Sequence, residues 1–351
     1  MRPAAHRGTA FAAACQSSFA LSKKQNKRSD DVENGKNPKK EKIGAPKDEI
    51  QNERRFMTKT LHQFLGLLFC LFFLALTAIP VMAASKKTEL SPKTIRDKSV
   101  GSYPSVRVTV NGEALSGGGL LIHETTYIPL RSFTDALTDA SIGYDSASRQ
   151  ASVEDKGLVM LVSDGGHVTY ANGRALYSLT PAVVMSDGRM YLPVRIAAKV
   201  MGVSVSWNEK TRSVSLSGET RYLTSGDEYY NKDSLYWLSR IISAESRGEP
   251  LLGQIAVGSV VLNRVRSPLY PATIYGVIFD RQYGVQFSPV KDGSIYQAPH
   301  EVSVTAAKIC LEGYSVSSEI LFFLEPRISI SQWIPNNRRY CFTIGHHDFY
   351  A

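Results

Sequence analysis

Histidine and cysteine are scarce in this chain, at seven and four among 351 residues. The cysteines form no Cys-x-x-Cys pair and no Cys/His cluster, so a structural zinc site has no ligand set. Cys15 and Cys70 lie in the N-terminal segment, which leaves Cys310 and Cys341 downstream. These two either pair, closing a loop of about thirty residues, or stay as independent buried thiols. Acidic charge is also in short supply, with a formal net charge of +9. Residues 1–56 hold 13 Lys and Arg against 7 Asp and Glu, and residues 57–351 carry only +3. So small an excess gives no argument for a nucleic-acid partner.

Residues 1–56 contain few large apolar side chains, too few to offset the entropy of ordering, and read as a disordered basic extension. One long apolar run comes next, Phe64 to Ile79, with Lys59 before it and Val81, Ala83 and Ala84 after it. Residues 57–84 therefore read as a secretory signal peptide, or, if uncleaved, as a membrane anchor. Met57 at its head suggests an alternative start to Met1. In either case the remainder is extracytoplasmic: secreted, with a membrane association only through an uncleaved signal.

Between residues 100 and 218 the sequence repeats itself. Asn111-Gly112 returns as Asn172-Gly173, Tyr127-Ile-Pro-Leu-Arg131 as Tyr191-Leu-Pro-Val-Arg195, and Tyr144-Asp145 as Trp207-Asn208. A period this long makes each copy a supersecondary unit of strand, turn, strand, helix and hairpin. Val194, Ala197, Ala198 and Met201 form a helical stripe that Gly202 stops. About sixty residues are too few to stand alone, so the two copies should share a core. The pattern resembles the N-terminal domain of copper amine oxidases and stalk-like repeats of Gram-positive surface proteins. The resemblance carries no copper chemistry, since only His123 and His167 fall here. Arg131 and Arg195 read as structural ion-pair residues, with contact to cell-wall anions as the other reading.

From Tyr229 the character changes. In "DSLYWLSRIISAE" Leu238, Ile241, Ile242 and Glu245 share one helical arc, with Asp233 or Ser234 available as cap. Glu245 thus occupies the next position of an apolar stripe. Held there, a carboxyl is desolvated and its pKa rises toward the range of a proton donor at neutral pH. The plainer reading is an ion pair with Arg240, Arg247 or Arg264. Glu249, before Pro250, falls outside the helix and suits the N-terminal boundary of the next one. That next helix is apolar almost all round from Ile255 to Leu262, and should be central and buried.

The stretches "AESRGEP", "VVLNRV", "QFSPVKDG" and "IGHHDFY", in that order, closely resemble the catalytic domain of the spore cortex-lytic, cell wall hydrolase family of endospore-forming bacteria. The resemblance runs from about Leu235 to Tyr350. It implies a lysozyme-like fold that cuts peptidoglycan glycan strands between N-acetylmuramic acid and N-acetylglucosamine, with Glu245 as catalytic acid. The fold class expected is α+β in two domains: a duplicated β-rich stalk-like domain at 100–218 and a mainly helical lysozyme-like domain with a small β-sheet at 229–351.

Glycoside hydrolysis usually takes two carboxylates. Asp280, Asp292 and Glu301 are available, but each reads better as a turn or cap residue, and Asp292-Gly293 as a hairpin turn. A lytic transglycosylase needs only Glu245, and no metal or organic cofactor is called for. Tyr283, Gln286, Phe287, Ser288, His347 and Tyr350 are candidate substrate contacts, His347 being favoured over His346 by the family pattern. Arg247, Glu249 and Asn263 are supporting residues. The partner implied is the peptidoglycan glycan strand, from spore cortex or vegetative wall. The competing readings are an N-acetylmuramoyl-L-alanine amidase and a non-catalytic wall-binding surface protein.

Overall fold

The computed structural model describes residues 87–282 and 284–351. The extension at 1–56, the signal segment at 57–84 and Tyr283 lie outside them. The described chain combines helices and sheets, β-rich in its N-terminal half and helical in its C-terminal half. Among the described residues no helix is long and apolar enough to cross a membrane.

Both Asn-Gly pairs of the repeat turn the chain with positive φ at each residue (49° and 91°, then 50° and 77°), the geometry that makes tight hairpins. The two copies do not fold side by side. Strand Ser105–Val110, from the first, pairs in parallel with Ser213–Ser217, the last strand of the second. Thr125–Pro129 pairs antiparallel with Met190–Pro193, so the two Tyr-x-Pro motifs face each other. A second, five-stranded sheet runs from Ser141–Asp145 through Gln150–Asp155, Leu158–Ser163 and Val168–Ala171 to Arg174–Tyr177. Helices α1 (Leu130–Asp135) and α2 (Val194–Met201) pack against the core shared by these sheets, which holds Val106, Val153, Met160, Ala197 and Met201. Gly202 ends α2 in the left-handed conformation, and a Cβ there would lie 2.1 Å from the Arg221 carbonyl oxygen. Arg131 and Arg195 depart from expectation. Among the described residues neither makes an ion pair, and Arg131 is exposed with only a 3.5 Å contact to the Ile142 carbonyl.

The C-terminal half contains α3 (Gly226–Tyr229), α4 (Lys232–Ser246), α5 (Leu251–Arg266), α6 (Ile274–Phe279), α7 (Ser288–Asp292), α8 (Glu301–Leu311) and α9 (Trp333–Asn337). The cap of α4 is Asn231, whose side chain accepts from the Ser234 N–H; Asp233 already lies in the first turn, where its charge favours the helix dipole. Helix α5 is central, with Ile255, Ala256, Val257, Val260 and Val261 all fully buried against α4 and α8. Truncating one of the large members, such as Ile255, to alanine would cost about 2–5 kcal/mol. Asp292-Gly293 is not a hairpin turn: it ends the short α7, with Gly293 as left-handed cap. A three-stranded sheet places His347–Tyr350 between Phe322–Leu324 and Tyr340–Ile344.

Two features tie the halves together. Upstream of the repeats, Leu90 and Thr88 exchange backbone bonds with Thr343, extending the C-terminal sheet, and Lys87 pairs with Asp348. Ala175 and Tyr177, on the last strand of the second sheet, are buried in the same core as α4, α5 and α8. Beside them the Glu312 side chain, 3% exposed, accepts from Arg174 Nε and Nη2 at 2.6 and 2.8 Å, from Lys199 Nζ at 2.8 Å and from the Tyr230 hydroxyl at 2.9 Å. Cys310 and Cys341 are free thiols. Cys310 is sealed between α5 and α8, where burial pushes its pKa up to about 12.

Candidate active site

Helix α4 positions Glu245 through its apolar arc: Leu238, Ile241 and Ile242 are fully buried, and Glu245, on the same arc, is half-buried. Its side chain opens into a cleft of about 510 Å³ walled by Val285 to Ser288, by Phe322 and Phe323, and by Ser331, Trp333 and Ile334. Glu245 is the only acid among the described lining residues, and Arg264 of α5 the only base.

Burial raises the Glu245 pKa from 4.5 to about 7; the charge of Asp292 pushes the same way and that of Arg264 opposes it. Among the described residues Glu245 has no hydrogen bond and no ion pair, so the ion-pair reading with Arg240, Arg247 or Arg264 does not hold. Arg240 lies over the Tyr236 ring at 3.6 Å, and Arg247 is exposed beyond the helix end. A carboxyl in this setting is protonated in a substantial fraction of molecules near neutrality and is free of any protein partner that would hold it as the anion.

The other expected residues divide. Gln286 is half-buried and Ser288 exposed, and both line the cleft; Phe287 lines it as well but is 3% exposed and belongs mainly to the core. His347 and Tyr350 do not line it. They sit on the central strand of the small sheet, where all four residues are buried, and the His347 ring packs edge-on against Phe323. Asn263 holds the Ser317 and Ile320 carbonyls, both at 2.9 Å. Glu249 is buried and accepts from His346 twice, at its backbone N–H and at Nδ1, each 2.9 Å. Gly345 makes this approach possible: its φ is +57°, and a Cβ there would meet Glu249 Oε2 at 2.0 Å. Asp280, Asp292 and Glu301 lie outside the lining, Asp292 being exposed and bonded to Ser294.

Sequence reasoning did not single out Phe322, Phe323, Ser331, Trp333 and Ile334 or the cleft position of Arg264. The only signal for the first five was an aromatic-rich stretch without periodicity.

Among the described residues no group of three or more His, Cys, Asp or Glu side chains is placed to hold a metal. In the repeat half His123 and His167 each bond a backbone carbonyl, of Thr94 and Ser178, and offer no copper ligand set. That half has a cleft of its own, about 710 Å³, between the Asn111 turn, α1 and Tyr144. It shares no residue with the Glu245 cleft.

Residues 248–350 match the cell wall hydrolase family, beginning three residues after Glu245, and residues 109–216 match the copper amine oxidase N-terminal domain. The spore cortex-lytic enzyme of Bacillus subtilis is 36% identical over 123 residues, covering 34% of this chain and 38% of that one. The spore cortex-lytic enzyme of Halalkalibacterium halodurans is 35% identical over 123 residues, 34% of this chain and 35% of its own. The chain thus spans less than two-fifths of the length of these relatives. Among solved structures, the catalytic domain of a germination-specific lytic transglycosylase from Bacillus anthracis is 36% identical, covering 35% of this chain and 97% of that one, with a TM-score of 0.32.

Proposed function

We propose, for a chain that carries a cell wall hydrolase domain at its C-terminus and a copper amine oxidase N-terminal domain upstream, that it is a secreted lytic transglycosylase of peptidoglycan. The observation that carries this is a single acid in the described cleft lining, its pKa raised by burial to about 7. Two-carboxylate hydrolysis needs a second group across the sugar to activate water or form a glycosyl ester. The described walls offer amide, hydroxyl and aromatic groups instead.

The Glu245 carboxyl gives its proton to the oxygen joining C1 of N-acetylmuramic acid to N-acetylglucosamine. The C1–O bond breaks, and the muramoyl ring carries oxocarbenium character. The Glu245 carboxylate then takes the proton of the C6 hydroxyl as that oxygen bonds C1, giving a 1,6-anhydro end and restoring the acid. No water is consumed. A pKa of about 7 suits both transfers, because donor and acceptor forms are then close in free energy at the working pH. Gln286, Ser288 and Trp333 would hold the sugars, the domain adopting a lysozyme-like arrangement around the cleft. The repeat half serves as its docked platform on cortex or wall.

Mass spectrometry of digested peptidoglycan tests this. Anhydro-muramoyl ends are expected; reducing ends identify a hydrolase, and freed stem peptides an amidase. Glu245→Gln should release no fragments, and wall solubilisation by that variant at the normal rate would remove the assignment. Activity should fall as pH rises through about 7, where Glu245 loses its proton.

A further inference from the structure

Arg264 is a cation without an acid. It is 5% exposed, its Nε donates to the Leu321 carbonyl at 2.8 Å, and its Nη1 is buried with no partner among the described residues. The guanidinium lies among the rings of Tyr270, Phe287 and Phe322, at 5.1, 5.3 and 5.4 Å from their centroids. Among the described residues no carboxylate is within ion-pair reach. Holding a charge out of water without direct compensation is costly, and burial pulls the Arg264 pKa down accordingly. A need of the fold alone for filler at this point would be met by an apolar side chain. The residue nevertheless lines the same cleft as Glu245.

We propose that Arg264 is a positioning residue that stabilises the charge of Glu245 once its proton has left, so that one carboxyl can serve as acid and then as base. The proposal rests on the reading of Glu245 as the proton donor. Desolvation alone makes the neutral acid easy to keep and the carboxylate hard to form. A fixed cation nearby, held by a backbone carbonyl and a ring cage, lowers the energy of that carboxylate without reorganising. Its distance matters in the other direction too. A guanidinium hydrogen-bonded to Glu245 would strip the proton before substrate arrived. The charged groups acting on Glu245 are Arg264 from α5, which favours ionisation, and Asp292 from α7, which opposes it; Arg264 in turn faces Tyr270 and Asp280. On α4 itself, Arg240 is turned onto Tyr236.

The test is the pH profile of kcat/KM for muropeptide release by the full chain, with Arg264→Met, Arg264→Lys and Asp292→Asn compared. Thermal melts establish which variants fold. Arg264→Met should move the alkaline limb up by roughly half a unit or more and lower the plateau about tenfold. Arg264→Lys, which retains the charge, should leave the limb within about 0.3 unit of the parent, and Asp292→Asn should move it down. A limb unmoved or lowered in Arg264→Met overturns the proposal, as does a limb in Arg264→Lys displaced upward by half a unit. Should Arg264→Met fail to fold, Arg264→Gln, which also removes the charge but keeps a donor for the Leu321 carbonyl, is read by the Arg264→Met criterion. Activity retained in Glu245→Gln sinks the underlying reading instead, which separates the two failures.

Discussion

Replacing Glu312 by Gln should loosen the joint between the repeat half and the cleft-bearing half more than any surface substitution. Arg174, 5% exposed, is held by two short bonds to this carboxylate, and Lys199, 39% exposed, by one. Gln keeps the shape and some hydrogen bonding but leaves both cations without a counter-charge. Breaking a buried pair from one side costs about 3–5 kcal/mol. Water already screens Lys199, so the lower end applies, about 3 kcal/mol, with Arg174 dominating. For a folded unit of this size each kcal/mol moves Tm by about 2–4 °C, and the expected fall is about 6–12 °C. Calorimetry at pH 7 reads this directly. The pH dependence carries its own sign. Burial alone would raise the Glu312 pKa, but the bonds from Arg174, Lys199 and Tyr230 outweigh it and hold the pKa below 4.5. Its contribution is therefore present above pH 4.5 and lost as pH falls through the lowered folded value, so the gap between parent and variant closes in acid. A Tm within about 2 °C of the parent at pH 7, or a gap that widens in acid, would refute the reasoning.

Glu245→Gln should be more heat-stable than the parent at pH 8 and close to it at pH 4. The folded pKa of about 7 lies above the unfolded 4.5, so the parent loses stability as pH rises between them while Gln does not titrate; melts at the two pH values check it. Gly345→Ala should destabilise by about 1–3 kcal/mol and release His346 from Glu249, since the added methyl overlaps the carboxylate and the positive φ disfavours alanine. Denaturant unfolding reads the first effect, and the His346 backbone amide chemical shift at fixed pH reads the second. Thiol alkylation followed by peptide mapping should label Cys341 and spare Cys310 in the native protein, because Cys310 is sealed in the core with its thiolate suppressed. Labelling of both at equal rates would contradict the packing.

The parts legible in the sequence were those fixed by local periodicity. The arc Leu238, Ile241, Ile242, Glu245 and the apolar circumference of α5 follow from helical spacing, and both Asn-Gly turns from the φ they require. Choices between distant partners left no such trace. Nothing near Ser105–Val110 says that it will pair in parallel with Ser213–Ser217, or that residues 88–90 will extend the sheet at Thr343. Arg174 and Glu312 are separated by 138 positions and meet only because Arg174–Tyr177 packs on α8. The family pattern favoured His347 over His346 as a substrate contact, yet neither lines the cleft. His347 is buried on the central strand, while His346 precedes that strand, exposed and bonded to Glu249.

The cleft is built from two kinds of structure, and the difference bears on how it works. Its floor, Glu245 and Arg264, stands on α4 and α5, whose inner faces are fully buried in the C-terminal core. Proton transfer tolerates little displacement, and rigid helices supply that constancy. The described walls come from shorter pieces: the segment leading into α7, the strand Phe322–Leu324, and the short α9 with Ser331 before it. Trp333 is 53% exposed, with Arg338 stacked 5.0 Å from its ring, and Ile330 beside it is 97% exposed. Folding leaves this apolar surface in water, and the flat face of a sugar ring is the kind of partner that covers it. On the proposed reading, binding a long glycan calls for walls that adjust from one sugar to the next, while the bond to be cut must always meet the same acid. A floor on long helices under walls of short elements meets both demands, and it is why the acid was readable from helical spacing while the walls from Phe322 to Ile334 were not.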